Sequence, residues 1–429
     1  MDITAYALEA LIKAGADKAS CKTSIGRKDE FNVETNKFTL MRTLFNDELS
    51  LKAIKDGRKG VIIINKLDKD SIDQAVTDCI ALASSALPDE AEDIAEKTVN
   101  KTFDQSIGGS SMDKLFVRTK DFIQQLKDEF PKVVLEGMTS DFNIAKIKYL
   151  NSNGVEFCTD TEYYQIGTMF SAKEGEKSSS FNGYGARLAS LDKAFIDLDM
   201  HRSLLSESES SLDTRAVDGK FVGKVIVTPA CDDMIWQTIF SCFLSDSSMV
   251  QAISRWKDAL DTKVADSKLT LTTAPLHSGI VAGERFTNDG FESQNMDIIR
   301  EGVLKSFILS LYGSRKTGKK RALNSAFGNI EVAAGDKSLD EMIKGIDRGI
   351  LLNRFSGASP GPSGDISGVA KNSFLIVNGA VTGALKETMV SFNIVDVLNN
   401  ISAISKERSF NGMSVLPWCC FDGVTISGK

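Results

Sequence analysis

The sequence predicts an α+β fold: an N-terminal helix-and-antiparallel-sheet domain followed by a larger, mostly antiparallel β-rich C-terminal domain with helices. Three observations carry this reading. Strand-like and helical stretches come in blocks and not as regular βαβ units, which disfavours a doubly wound sheet. No repeat with a period of roughly 20–50 residues is present, which argues against a solenoid or propeller. The 429 residues, 42% hydrophobic and 25% charged, have ordinary globular composition and enough chain for a large buried core. The expected organisation is an α+β domain at 1–88, a linker at 89–111, a middle α+β region at 112–215 and the β-rich domain at 216–429.

Residues 2–14 read as an amphipathic helix with Ile3, Tyr6, Ala7, Leu11 and Ile12 on one face and Gly15 as the stop. Residues 18–65 read as strands, with Phe31, Val33 and Thr35 in alternation and an Asp56-Gly57 turn. Ser71-Ile72-Asp73-Gln74 has the capping-box pattern and opens a helix that ends near Pro88. The stretch 89–111 is acidic, then rich in glycine and serine. A helix comes next, with Leu115, Phe122 and Leu126 inward, and then strands from 133 to about 200, with turns expected at Asn153-Gly154 and Asn182-Gly183. The serine- and glutamate-rich run 206–211 reads as a second boundary. Beyond a strand at 225–227, Thr228-Pro229 is expected to open a helix in N-cap/N1 order, with Met234, Ile235, Ile239, Cys242 and Phe243 inward.

Several function classes lose support on composition. A net charge of −7 provides no global field for nucleic acid or an anionic membrane. The longest apolar run, 79–83, is far short of the roughly 20 residues of a membrane helix. Met1-Asp2-Ile3-Thr4 carries an acid where a signal peptide carries bases, so a soluble cytoplasmic protein is expected. Seven cysteines without CxxC spacing read as reduced thiols. There are only two histidines, His201 and His277, so any mechanism needing a histidine pair must use both.

Local motifs do not supply a catalytic centre. Residues 313–320 match GxxxxGK, but Lys320 stands where a P-loop needs Ser or Thr for magnesium, and a basic surface loop is the better reading. Arg315, Lys316, Lys319, Lys320 and Arg321 could touch phosphates, with only Tyr312 nearby to stack a base. Cys79 and Cys242 fall on apolar helical faces, and Cys419 and Cys420 would point to opposite faces of a strand. If 197–201 is a strand, Asp197, Asp199 and His201 share one polar face, read as solvated, while His277 sits in a turn.

Three stretches together resemble the TldD/PmbA family, the so-called modulators of DNA gyrase. The first is Tyr149-Leu-Asn-Ser-Asn-Gly-Val155. The second runs from Arg285-Phe-Thr-Asn-Asp-Gly290 through Arg300-Glu-Gly-Val-Leu-Lys305 to Tyr312-Gly-Ser-Arg-Lys316. The third comprises Gly364-Asp-Ile-Ser-Gly368, Phe374-Leu-Ile-Val-Asn-Gly379 and Asn393-Ile-Val-Asp-Val-Leu398. The resemblance implies a cytosolic peptidase system whose members act in pairs on small or unfolded peptides. Its TldD half carries HExxxH on a helix, plus a C-terminal cysteine, as zinc ligands; its PmbA half lacks them. Here the matching helix spans 232–244, Trp236 to Ser241 occupy the motif, and the acids Asp232 and Asp233 precede it. The family's cysteine falls near 409–414, where this chain has none, and Cys419 and Cys420 come too late.

The resemblance therefore implies a PmbA-like subunit without a metal or other cofactor of its own, paired in a homo- or heterodimer with a TldD-like, metal-bearing homologue. Its substrate would be a peptide or unfolded protein; nucleic acid is disfavoured and no membrane is involved. A stand-alone peptidase with a divergent site and a gyrase- or nucleic-acid-associated binding protein are the alternatives. Asp289, Gly290, Arg300 and Tyr312 are the candidate peptide-binding residues. Each also has a purely structural reading: a turn acid, a positive-φ glycine, a surface ion pair and a packed ring.

Overall fold

A computed structural model of the protein describes residues 2–231, 233–357 and 360–428. Two β-sheets succeed one another along the chain, each with helices against it. Helix α1 (Ile3–Lys13) is capped by Asp2, whose carboxylate accepts the Ala5 N–H, and it buries Thr4, Ala7 and Leu11. Strands β1 (Lys18–Glu34), β2 (Lys37–Lys55) and β3 (Arg58–Ile64) come next, then α2 (Lys69–Ser85). Asp68, not Ser71, is the N-cap of α2, because its carboxylate reaches the Ser71 N–H. β4 (Lys101–Gln105), α3 (Met112–Glu129), β5 (Val133–Asn151), β6 (Glu156–Glu174), β7 (Lys177–Ser178) and β8 (Asn182–Leu188) complete the first sheet and its cover.

The strand order is β3-β2-β1-β5-β6-β4, with β7 and β8 also on β6; all these pairs are antiparallel except β4 with β6. Alternation assigns the two faces. Ala19, Cys21, Leu49 and Leu51 pack with Leu11, Ile72 and Cys79 of α1 and α2. Farther along the strands, Phe31, Val33 and Met138 pack with Leu115 and Phe122 of α3. The fit under α2 is tight: a Cβ on Gly60 would stand 2.0 Å from the Cys79 carbonyl oxygen. The opposite face carries Ser20, Lys22, Tyr149, Phe157 and Thr159, and it faces the C-terminal half of the chain.

Helix α4 (His201–Ser210) leads to β9 (Thr214–Arg215), the first strand of a second sheet of fourteen strands among the described residues. Its centre is β10 (Lys220–Val227), parallel to Arg348–Leu352 and antiparallel to the strand Val415–Ser427. Val225 and Val227 enter one core with Ile235 of α5 (Asp233–Thr238) and Phe243 of the π-helical segment Ile239–Leu244 that continues it. After α6 (Asp246–Val250) come β11 (Leu271–Thr273), β12 (Met296–Arg300), β13 (Val303–Leu304) and α7 (Leu311–Thr317). The α+β class and the order of its two parts are therefore as the sequence predicts.

The finer organisation differs in five places. Regions 1–88 and 112–215 share one sheet, since β1 pairs with β5 from Ser20↔Asn151 to Val33↔Met138. The stretch 89–111 is fastened to the fold: Glu92 takes Lys52 at 2.9 Å, Asp93 takes Lys18 at 2.5 Å, and β4 joins the sheet beside β6. Asn182-Gly183 lies in β8 and not in a turn, because the Asn182 amide is buried and donates to the Leu204 carbonyl at 3.3 Å. The serines of 206–211 belong to the end of α4, where Ser208 and Ser210 bond back to the carbonyls four residues earlier. Thr228-Pro229 does not start the helix; the Cys231 N–H closes a turn onto the Thr228 carbonyl, and α5 begins at Asp233.

Candidate functional site

The two parts of the protein meet where the 282–291 loop seats on the sheet face bearing Tyr149. Gly290 adopts φ +88°, and a Cβ there would stand 2.4 Å from the Tyr149 ring, so this position requires glycine twice over. Tyr149 is buried, which pushes its hydroxyl up to about 12, and it donates to the Asp289 carbonyl at 3.4 Å. Phe286 stacks on Phe157 with ring centroids 5.5 Å apart. Thus the first two stretches that carry the family resemblance touch each other in the fold.

Asp289 ties its own loop to α7. One carboxylate oxygen accepts the Thr287 hydroxyl at 2.5 Å, and the other accepts the Leu311 N–H at 2.7 Å, at the start of the helix. The same helix is capped by Ser310, itself held by Asp246 through the Ser310 N–H at 2.9 Å. Gly313 lies inside α7, and a Cβ there would meet the Asp246 carboxylate at 1.8 Å. The GxxxxGK stretch is therefore mostly a helix packed on a carboxylate, neither a phosphate cradle nor a loop. Two of its charges are tied down: Arg315 pairs with Asp93 at 2.7 Å and Lys316 with Asp89 at 2.9 Å. Tyr312 donates to Asp89 at 3.1 Å, with the ammonium groups of Lys59 and Lys316 over its ring.

Two cavities flank Asn288. One of about 340 Å³ includes Lys52, Tyr149, Asp246, Asp289, Ser310 and Arg321 in its lining. The other, of about 240 Å³, includes Lys22, Thr161, Tyr163, Arg187 and Arg285. Asp289 and Gly290 thus stand together at this junction, and Tyr312 lies on the helix that Asp289 anchors. Arg300 is elsewhere: it closes β12 with an exposed side chain, bonded through Nε to Asp297 at 2.6 Å, and lines neither cavity. Lys22 and Arg187 escape sequence reasoning because they lie on separate elements and belong to no motif, whereas Arg321, the last of the basic run read as a phosphate contact, lines the first cavity. Tyr149 and Arg285 were within reach, as they sit in the two resembling stretches that meet here.

The two histidines and the Cys419-Cys420 pair are bonded or packed within the fold. His201 does not share a strand face with Asp197 and Asp199. A 3₁₀ turn at Phe195–Asp197 turns the chain, and His201 opens α4 fully buried, because Leu198 and Met200 enter the core from this turn. Its Nδ1 lies 2.8 Å from the Phe195 carbonyl and its Nε2 3.1 Å from the Thr168 hydroxyl, between the rings of Phe122 and Tyr184. Burial pushes its pKa down to about 4, so the surface-imidazole reading is overturned. His277 is in the expected turn, its Nδ1 accepting the Gly279 N–H at 2.8 Å. Cys419 and Cys420 are buried in two different cores, on opposite faces of their strand.

On α5 and its π-helical continuation, Trp236 is buried in the core, while Gln237 and Ser241 are exposed and bonded to each other, the serine hydroxyl donating to the Gln237 carbonyl at 2.7 Å. Asp232 lies outside the described residues. An indole offers only a donor, and the neutral amide and hydroxyl are poor zinc donors, so these three positions do not fit a zinc ion.

Residues 220–428 match the PmbA/TldA metallopeptidase C-terminal domain. The chain is 26% identical over 219 residues to a metalloprotease of Methanocaldococcus jannaschii, covering 48% of this chain and 47% of that protein. It is 25% identical over 152 residues to the metalloprotease PmbA of Escherichia coli O157:H7, covering 35% and 34% of the two chains. The matched segments therefore span less than half the length of these relatives. A PmbA homologue from Haemophilus influenzae is 19% identical over 448 residues, covering 99% of this chain and 95% of its own. In fold, the chain is similar to TldE of Thermococcus kodakarensis, with a TM-score of 0.86 at 19% identity over 98% of this chain and 100% of that one. It is also similar to a DNA-gyrase-modulator protein of Bacteroides thetaiotaomicron, with a TM-score of 0.85 at 23% identity over 100% and 98%. Residues 220–428 thus match the C-terminal domain of the PmbA/TldA metallopeptidases, and over its length the chain has the fold of these relatives.

Proposed function

We propose that this chain is a PmbA-like subunit of a TldD/PmbA-type peptidase system, without a zinc site of its own and dependent on a metal-bearing homologue for hydrolysis. The observation that supports the reading is the chemistry of α5 and its π-helical continuation: residues 220–428 match the family's C-terminal domain, and the stretch Trp236 to Ser241, which the resemblance aligns with the zinc motif, offers an indole, an amide and a hydroxyl. A zinc-activated water needs about three protein ligands.

A partner also has a surface to cover. Residues 37–48 of β2 pair on one side only, because β3 reaches only Leu49 to Lys55. Phe38, Leu40, Met41 and Phe45 are exposed there, and Phe38 stacks on Phe116 of α3 at 4.8 Å. An unpaired edge with exposed aromatics is a surface that a second sheet or strand covers. Asp289, Gly290 and Tyr312 would belong to the peptide-facing junction of the pair, and Arg300, by its position, would not.

Co-purification from the native cell tests the reading. An HExxxH-bearing homologue is expected to be retained, less so by a Phe45→Asp variant, and peptide cleavage is expected only from the pair and only without chelator. Cleavage by the purified chain alone in the presence of chelator sinks the proposal.

A further inference from the structure

The cavity of about 240 Å³ between the first sheet and the 282–288 loop is lined by three cations from three elements: Lys22 of β1, Arg187 of β8 and Arg285 of the loop. None of the three has an ion-pair partner among the described residues, although ion pairs are plentiful around them. Lys22 donates to the Asn288 side-chain oxygen at 2.6 Å. Arg187 makes a long bond to Gln165 at 3.4 Å and lies over the Tyr163 ring at 5.0 Å. The Arg285 guanidinium has no hydrogen-bond partner among the described residues.

One carboxylate, Glu284, also lines the cavity, but its oxygens are engaged: it accepts the Ser293 hydroxyl at 2.6 Å, the Ser325 N–H at 2.9 Å and the Ser325 hydroxyl. Burial lowers the pKa of both Lys22 and Arg285; at Lys22 the charges of Glu48 and Glu284 offset it only in part, and at Arg285 burial acts alone. Holding like charges in one half-buried cavity is unfavourable in itself. It becomes favourable once a ligand brings the opposite charge, and planar guanidinium groups match the paired oxygens of a carboxylate or phosphate. The hydroxyls of Thr161 and Tyr163 add neutral donors on the sheet side.

We propose that this cavity binds the oxyanion of a small ligand, a carboxylate or phosphate group, between Lys22, Arg187 and Arg285. The site is separate from the α5 helix and its π-helical continuation, and the proposal stands whether or not the chain serves a peptidase.

Calorimetric titration of the full chain tests it, with three probes: inorganic phosphate, a short N-acetylated peptide with a free C-terminus, and the same peptide as its C-terminal amide. Saturable binding of phosphate or of the free-acid peptide at low ionic strength is expected. It should weaken with added salt and fall about tenfold or more in Arg285→Gln and in Lys22→Gln, the size of one charge-assisted hydrogen bond. Phosphate alone, or free acid but not amide, identifies the source of the oxyanion. The proposal is overturned if neither anion binds at millimolar concentration, or if both variants bind as well as the wild type. Melting of the ligand-free variants gives a second readout. They should melt at or above the wild-type temperature, and a clearly lower one would make the cations structural and overturn the proposal.

Discussion

Two sets of cations meet at the junction of the sheets, and the difference between them separates architecture from chemistry. The first set, Arg315 and Lys316, is contiguous in sequence and conspicuous, and it is tied to Asp93 and Asp89. The second set, Lys22, Arg187 and Arg285, is scattered over more than 260 positions, and its members share a cavity with one carboxylate, Glu284, and have no ion-pair partner among the described residues. A run of basic residues attracts attention as a candidate nucleic-acid or phosphate contact. Here Arg315 and Lys316 fasten α7 to the 89–93 stretch, and Lys22 and Arg187, two of the three cations of the second set, belong to no motif. The loop from Arg285 to Gly290 links both sets, since Arg285 lines the cavity and Asp289 anchors the start of α7.

Breaking that loop should therefore disturb both sets at once. Gly290→Ala forces a Cβ to 2.4 Å from the Tyr149 ring at a φ of +88°. A loss of about 2–4 kcal/mol is expected in urea unfolding, larger than for any change to the ion pairs. Asp93→Ala attacks the first set alone. The Asp93 side chain is 6% exposed and holds both Lys18 and Arg315, yet those two cations can turn to water once it is gone. The expected loss is about 1–3 kcal/mol, with no effect on anion binding at Arg285.

Acid acts on the carboxylates of the first set. The Lys316 hydrogen bond holds Asp89 below the usual carboxylate range. For Asp93, burial pushes the pKa up, but the Lys18 hydrogen bond, the Ile94 N–H and the charges of Lys18 and Arg315 outweigh it and leave it lowered. A carboxyl whose folded pKa lies below its unfolded value contributes stability that is present above the unfolded value, near 3.8, and is lost as pH falls through the folded one. His201 acts in an earlier window: it titrates near 6.5 unfolded and about 4 folded, so the folded state excludes a proton that the unfolded state takes up as pH falls between those values. Glu207, whose burial pushes its pKa up to about 8, has the opposite sign and gains stability as pH falls through this window. Thermal melts from pH 7 to 3 should therefore read His201 as a difference: wild type should lose stability relative to His201→Gln between about pH 6.5 and 4, with the later loss from the Asp pairs common to both.

The range of an interaction decides how much of it was legible in the sequence. The α+β class and α1 to α3 were readable because period and capping are local: Leu115, Phe122 and Leu126 mark one face of α3 whatever it packs against. The stretch at 197–201 misled because Leu198 and Met200 alternate with Asp197 and Asp199 as they would in a strand, whereas it is a turn that carries the apolar pair into the core. The acidic stretch at 89–95 looked like a linker because its partners, Lys18, Lys52 and Arg315, are distant in sequence. The cavity of unpaired cations was beyond sequence reasoning for the same reason. Asp289 and Gly290 were found through resemblance, and their proximity to Tyr149 needed the fold.

Lys316→Ala removes the more exposed of the two α7 pairs, with 36% of the lysine side chain and 27% of the aspartate side chain exposed. Screening by solvent makes the expected loss smaller than for Asp93→Ala, and it should shrink further in high salt.

The smallest expected effect is the most discriminating. If Lys22 and Arg285 repel each other across one cavity, each raises the cost of the other, so removing either relieves part of the strain that removing both would relieve. A double-mutant cycle on Lys22→Gln and Arg285→Gln, read by urea unfolding of the ligand-free chain, should give a double variant stabilised by less than the sum of the singles, by a few tenths of a kcal/mol. Under saturating phosphate the sign should reverse, because the two cations then cooperate through the anion. Additivity in both conditions would mean that Lys22 and Arg285 do not act on one another or on a common ligand, and the contrast with the paired cations of α7 would reduce to exposure alone.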